Sequence, residues 1–161
     1  MPAFYYIEVI PMKLAEALQE RADLNARIES LRSRLYNNAI VQEGESSAED
    51  PYELIRELDG CLSRLRELIA RINRTNCETV INGATITDLI ASRDVLKVQL
   101  AAYRDLVGAA SQIARRASRT EIKLLPAVDV KAAQKKADEL AKELRATDNA
   151  IQEANWITEL K

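Results

Sequence analysis

The sequence predicts a mainly α-helical protein. Four long antiparallel helices, as a bundle or as paired helical hairpins, carry a small β-hairpin between helices 2 and 3 and a short strand before helix 4. Three observations predict this. Apolar residues recur at steps of three and four through most of the 161 residues. Only four Gly and four Pro are present, too few turn formers for a loop-rich β-sandwich. A chain that is 47% apolar and 30% charged is a folded, charge-rich one and not a disordered one. The first 11 residues read as an N-terminal extension, and 12–161 as a single helical domain.

The first helix is expected from Lys13 to about Gln42. Leu24, Ile28, Leu31 and Leu35 step by four, three and four, and Leu14, Ala17, Leu18 and Ala22 extend and widen the stripe. Asp23 stands four residues before Arg27, the favoured order for an ion pair along a helix. The segment EGESSAED (43–50) is small, polar and acidic, and reads as a solvated loop. Asp50-Pro51-Tyr52-Glu53 then restarts a helix. Asp50 caps the free N–H groups, Pro51 suits the first helical position, and Glu53 stands where a capping box needs it.

The second helix is expected from Pro51 to about Asn73. Leu54, Leu58, Cys61, Leu65, Leu68 and Ile72 form one apolar row, and Ile55, Leu62 and Ile69 form a second beside it. Two adjacent rows make a face wider than one partner helix covers. Cys61 falls inside the first row and reads as a core residue. In CETVINGATIT (77–87), Asn82-Gly83 lies between two β-prone triplets. That is the two-residue hairpin signal, because a type I′ turn needs positive φ at both positions. Thr87 is expected to cap the third helix, Asp88 to about Ala114, on the row Leu89, Leu96, Leu100, Tyr103, Val107 and Ala110. Alternation over Thr120–Ala127, closed by Pro126, predicts a short strand. Asp129 then caps a fourth helix, Val130 to about Thr158, whose row runs through Ala133, Ala137, Leu140, Leu144, Thr147, Ile151 and Ala154.

Composition also excludes chemistry. Histidine is absent, which removes Ser-His-Asp triads, Cys-His pairs and histidine metal sites. The two cysteines, Cys61 and Cys77, cannot make a four-ligand zinc site and read as reduced thiols of a cytoplasmic protein. No phosphate-binding glycine loop is present, and most carboxylates sit off the apolar rows, so neither a metal nor any other cofactor is expected. A formal net charge of −2 argues against a nucleic-acid partner. The apolar segment Phe4–Ile10 lacks the basic lead and cleavage pattern of a signal peptide. No uncharged run approaches the length of a membrane span, so no membrane association is expected.

Six short motifs occur in order: MKLAEALQERADL (12–24), NAIVQEGESSAEDP (38–51), RINRTN (71–76), SRTEIK (118–123), PAVDV (126–130) and IQEANW (151–156). Together they resemble a family of small, uncharacterised bacterial helical proteins labelled septicolysin-like, over about residues 12–160. The resemblance implies a helical fold and brings no catalytic residues with it. It also implies a start at Met12, with residues 1–11 arising from an upstream start codon.

Two readings then stand for a set of polar residues near the helix ends. Arg71, Asn73, Thr75 and Asn76 close helix 2, Arg119, Glu121 and Lys123 precede helix 4, and Gln152, Asn155 and Trp156 close it. They form either an anion or polar-ligand site or a set of helix caps that lock the chain ends. The leading functional reading is a non-enzymatic, self-associating helical structural or interaction protein, a homo-oligomer. The alternatives are a ligand-binding protein or minor enzyme using the polar residues, and a membrane-active, cytolysin-like protein. The wet faces mix acids and bases, which disfavours an anionic lipid surface for the last.

Overall fold

The computed structural model describes residues 11–112 and 125–161. Among these residues the elements run α1 (Leu14–Asn37), α2 (Pro51–Glu78), β1 (Val80–Ile81), β2 (Ala84–Thr85), α3 (Ile86–Ser111) and α4 (Val130–Ile157). The chain forms two compact units, one from residues up to Thr79 together with Asn155–Lys161, the other from Val80–Ala154. The mainly helical fold with a hairpin between the second and third helices is therefore the one the sequence predicts.

The first unit is built on the α1–α2 pair. Ile28, Leu31, Leu54 and Cys61 are buried together, with Leu24, Leu35, Leu58 and Leu65 packed against them. These are the residues of the two predicted rows. Three arginine–carboxylate pairs set the register. Arg64 grips Glu20 through two bonds, Nε to Oε1 at 2.6 Å and Nη2 to Oε2 at 2.9 Å. Arg27 donates to Glu57 at 2.7 and 2.9 Å, and Arg34 clasps Glu49 just ahead of α2. Steps of seven up α1 (20, 27, 34) match steps of seven or eight back down the partner segment (64, 57, 49), which is the antiparallel signature. The expected Asp23–Arg27 pair is not made. Arg27 turns across to Glu57, while Asp23 accepts from Gln19 Nε2 at 2.9 Å.

Helix α1 stops at Asn37, five residues short of the expected end. Ile40 and Val41 are 90% and 50% exposed, so nothing rewards a further turn. Asn38 instead ends the helix. Its Nδ2 donates to the Arg34 carbonyl at 2.9 Å, and its Oδ1 accepts from the Glu49 N–H at 3.1 Å, folding the loop back. Asp50 caps α2 as predicted, accepting from the Tyr52 N–H at 2.9 Å. Helix α2 continues five residues past the expected Asn73, to Glu78. Polar Arg-Thr-Asn-Cys-Glu is helical there because Thr75 is buried and bonded, a contact no periodicity displays.

In the second unit the hairpin pairs Val80 with Thr85 and Ile81 with Ala84. Asn82 and Gly83 have φ of 50° and 89°, the positive angles that the turn requires. The cap of α3 is Thr85 and not Thr87. Its Oγ1 accepts from the Asp88 N–H at 3.1 Å, and the Asp88 carboxylate accepts from the Thr85 N–H at 3.0 Å. The Thr85 hydroxyl also donates to the Asp88 carboxylate at 2.7 Å, and this bond, with that from the Thr85 N–H, holds the Asp88 carboxyl below its usual range. Leu96, Leu100, Ala137 and Leu140 form the core between α3 and α4, flanked by Tyr103, Ala141 and Leu144. Asp129 caps α4, accepting from the Ala132 N–H at 3.0 Å. Most of the strand expected over 120–127 lies outside the described residues, and 125–127 are not in strand.

The Glu20–Arg64 pair makes stability pH-dependent. The Arg64 hydrogen bonds outweigh desolvation and lower the Glu20 carboxyl pKa. A carboxyl lowered in the folded state adds stability above its unfolded pKa and loses it as pH falls through the folded one. Glu20→Gln is expected to cost about 1 kcal/mol at pH 7, discounted for partial exposure, and to cost nothing once the pH is below both values. Urea unfolding at pH 7 and in strong acid measures the difference.

Candidate functional site

The polar residues at the end of α2 are held by the chain's own last residues. Thr75 is fully buried. Its hydroxyl donates to the Arg71 carbonyl at 2.9 Å and accepts from the Lys161 N–H at 2.9 Å. Arg71 lies alongside, donating through Nε to the Lys161 carbonyl at 3.0 Å and through Nη2 to the Leu160 carbonyl at 3.3 Å. On the other side the tail pairs with the start of α1. The Leu14 N–H donates to the Thr158 carbonyl at 2.9 Å, and the Leu160 N–H to the Met12 carbonyl at 2.8 Å, forming a bridge between Lys13 and Glu159. Leu160 is buried beneath, and Lys161 Nζ reaches Glu78 at 3.0 Å. Residues 158–161 thus run between the start of α1 and the end of α2, with Arg71 Nε and Nη2 bonded to backbone carbonyls and its Nη1 lying 3.8 Å from Glu67 Oε1.

The other residues of the predicted set are placed differently. Asn76 and Asn155 are half-buried, while Asn73 and Gln152 are exposed. Trp156 is 66% exposed and borders a shallow groove of about 560 Å³ with Met12, Ala15, Glu16, Gln19, Glu20 and Asp23. An indole beside three carboxylates has the chemistry of a cation site, but each carboxylate is already engaged. Glu16 accepts from the Lys13 N–H, Glu20 from Arg64, and Asp23 from Gln19. Arg119, Glu121 and Lys123 lie outside the described residues. Among the described residues no group of three Cys, Asp or Glu side chains converges as metal ligands, and no helix is long and apolar enough to cross a membrane.

The more distinctive surface is apolar. On α2, Leu54, Cys61 and Leu68 are 3%, 8% and 0% exposed, whereas the adjacent row Ile55, Leu62 and Ile69 is 42%, 44% and 41% exposed. Tyr52 extends that row at 74%. On α3, Val95 and Val98 are 66% and 72% exposed, opposite the buried Leu96 and Leu100. Ala91, Ala102 and Ala109 continue that outer row. Both helices are therefore apolar on more than the side that packs within their own unit.

The fold and these surfaces define a mainly helical protein with a small β-hairpin, whose open apolar rows lie on the helices themselves. A family model described as a family of unknown function (DUF6847) matches residues 21–160. The chain belongs to that family. It is similar to the crystal structure of a functionally unknown conserved protein from Corynebacterium diphtheriae, with 41% identity and a TM-score of 0.84. That match covers 94% of this chain and 99% of the other. No curated protein matches the chain significantly.

Thr75→Val keeps the volume and removes the hydroxyl that joins helix and tail. It leaves the Lys161 N–H without its acceptor and is expected to cost about 1–2 kcal/mol. The loss registers in urea unfolding, together with faster amide exchange at residues 158–161.

Proposed function

We propose that this is a non-enzymatic helical interaction protein that works as a homo-oligomer. The observation that carries the reading is the apolar row Ile55, Leu62 and Ile69, set along a 28-residue helix and more than 40% exposed at each position. Single exposed apolar residues are ordinary on a soluble surface. A regular row along one helix is the pattern of a buried seam. The outer row of α3 repeats the feature in the second unit.

The bonds of Arg71 to the chain's own carbonyls and the engaged carboxylates beside Trp156 support the same reading, since these polar groups already meet protein partners. The absence of histidine from the sequence removes the commonest general base. The reading places the protein's work in contacts between helices, with no chemical step and no cofactor.

Size-exclusion chromatography with light scattering is the direct test. The expected mass at micromolar concentration is a whole multiple of 18.0 kDa above one. Leu62→Glu is expected to shift the equilibrium to monomer while the circular dichroism of the helices is unchanged. A monodisperse 18.0 kDa species at 100 µM overturns the reading.

A further inference from the structure

We infer that α2 pairs with α2 of a second copy, antiparallel about a two-fold axis near Leu62. This rests on the self-association proposed above and specifies its partner and register. The exposed side of α2 carries Tyr52, Ile55, Asp59, Leu62, Arg66, Ile69 and Asn73. Their steps are three, four, three, four, three and four, a continuous heptad seam running beside the buried Leu54–Cys61–Leu68 row.

Two charges lie in this seam, Asp59 and Arg66. Neither makes an ion pair among the described residues, although neighbouring α2 charges do. Arg56 meets Glu53, Glu57 meets Arg27, and Arg64 meets Glu20 and Glu67. Asp59 and Arg66 are seven residues apart, about 10 Å along the helix and two turns, so they lie on one side. A two-fold axis between them exchanges their levels. It sets Asp59 against the partner's Arg66 twice, once on each side of the axis.

The same axis aligns the rest of the seam. Leu62 falls beside the partner's Leu62 at the centre. Ile55 falls within one residue of the level of the partner's Ile69. Tyr52 falls level with the partner's Asn73, a phenol against an amide. The seam residues thus meet complementary groups, apolar to apolar, acid to base and phenol to amide, as an isologous interface requires. The outer row of α3 lacks this property. A two-fold register that sets Val95 against the partner's Val98 brings Asp88 level with the partner's Asp105, like charge against like.

Charge exchange tests the register. Asp59→Arg alone and Arg66→Asp alone each set like charges together and are expected to weaken dimerisation at least about tenfold. The double variant Asp59→Arg/Arg66→Asp restores opposite pairing and is expected to return within about threefold of the parent. These side chains are exposed, so folding is checked by circular dichroism and is expected to hold. In a Cys77→Ser background, Leu62→Cys is expected to form a disulfide-linked dimer on mild oxidation. Ile55→Cys is expected to form none, because its own copy lies about 22 Å away along the axis. A chain that oligomerises with both single charge variants unaffected, or that cross-links equally through Ile55→Cys, overturns the inference and leaves self-association standing. A monomeric parent overturns both.

Discussion

A helix hairpin buries one stripe on each of its helices, and that limit governs this protein. In the first unit the stripe Leu54, Leu58, Cys61 and Leu65 packs against α1, and the contact is fixed by the two-bond grip of Arg64 on Glu20. Apolar packing alone tolerates a slip of one helix along another by a heptad. Arginine–carboxylate pairs do not, because each guanidinium must meet its own carboxylate. Once α1 and α2 are held this way, α2 cannot rotate to hide its second row. Ile55, Leu62 and Ile69 are left facing water as a geometric consequence of burying their neighbours one position along.

The tail supplies the other constraint. Residues 158–161 run alongside the start of α1 and bond to Arg71 and Thr75 at the end of α2. The first and last described residues of the chain are thereby joined within one unit, and the end of the α1–α2 pair is closed against fraying. Thr75 is the single buried polar side chain in this arrangement among the described residues. Its donor and acceptor are both satisfied, and satisfied buried polar groups fix a unique geometry better than apolar packing does.

Helix identity and most caps were legible in the residues because their causes are local. Asp50-Pro51 starts a helix wherever it folds, and Asn82-Gly83 turns a hairpin because both residues accept positive φ. What escaped was set by partners far away in sequence. Helix α2 outruns its apolar row because Thr75 finds the backbone of Lys161, 86 residues on. Arg71 read as an anion ligand or a helix-end lock, and it donates to carbonyls that no side-chain pattern announces. Thr85 displaced Thr87 as a cap because the strand ends at Thr85, one residue before the end of the β-prone triplet, and the helix begins at Ile86.

The second row of α2 was visible in the sequence as an excess of apolar residues, more than one neighbouring helix covers. Periodicity stated the excess without stating what covers it. The structure removes the simplest answer, since α1 packs on the adjacent row and leaves this one more than 40% open. An apolar row of this regularity, with its two charges unpaired and placed symmetrically about its middle, is poorly explained as solvated surface. Solvated surface needs no regular spacing, and an isolated Asp or Arg on a wet helix gains nothing from facing an apolar row. Both features follow at once if the row is an interface, because a two-fold partner needs apolar residues at the centre and opposite charges at equal distances from the axis.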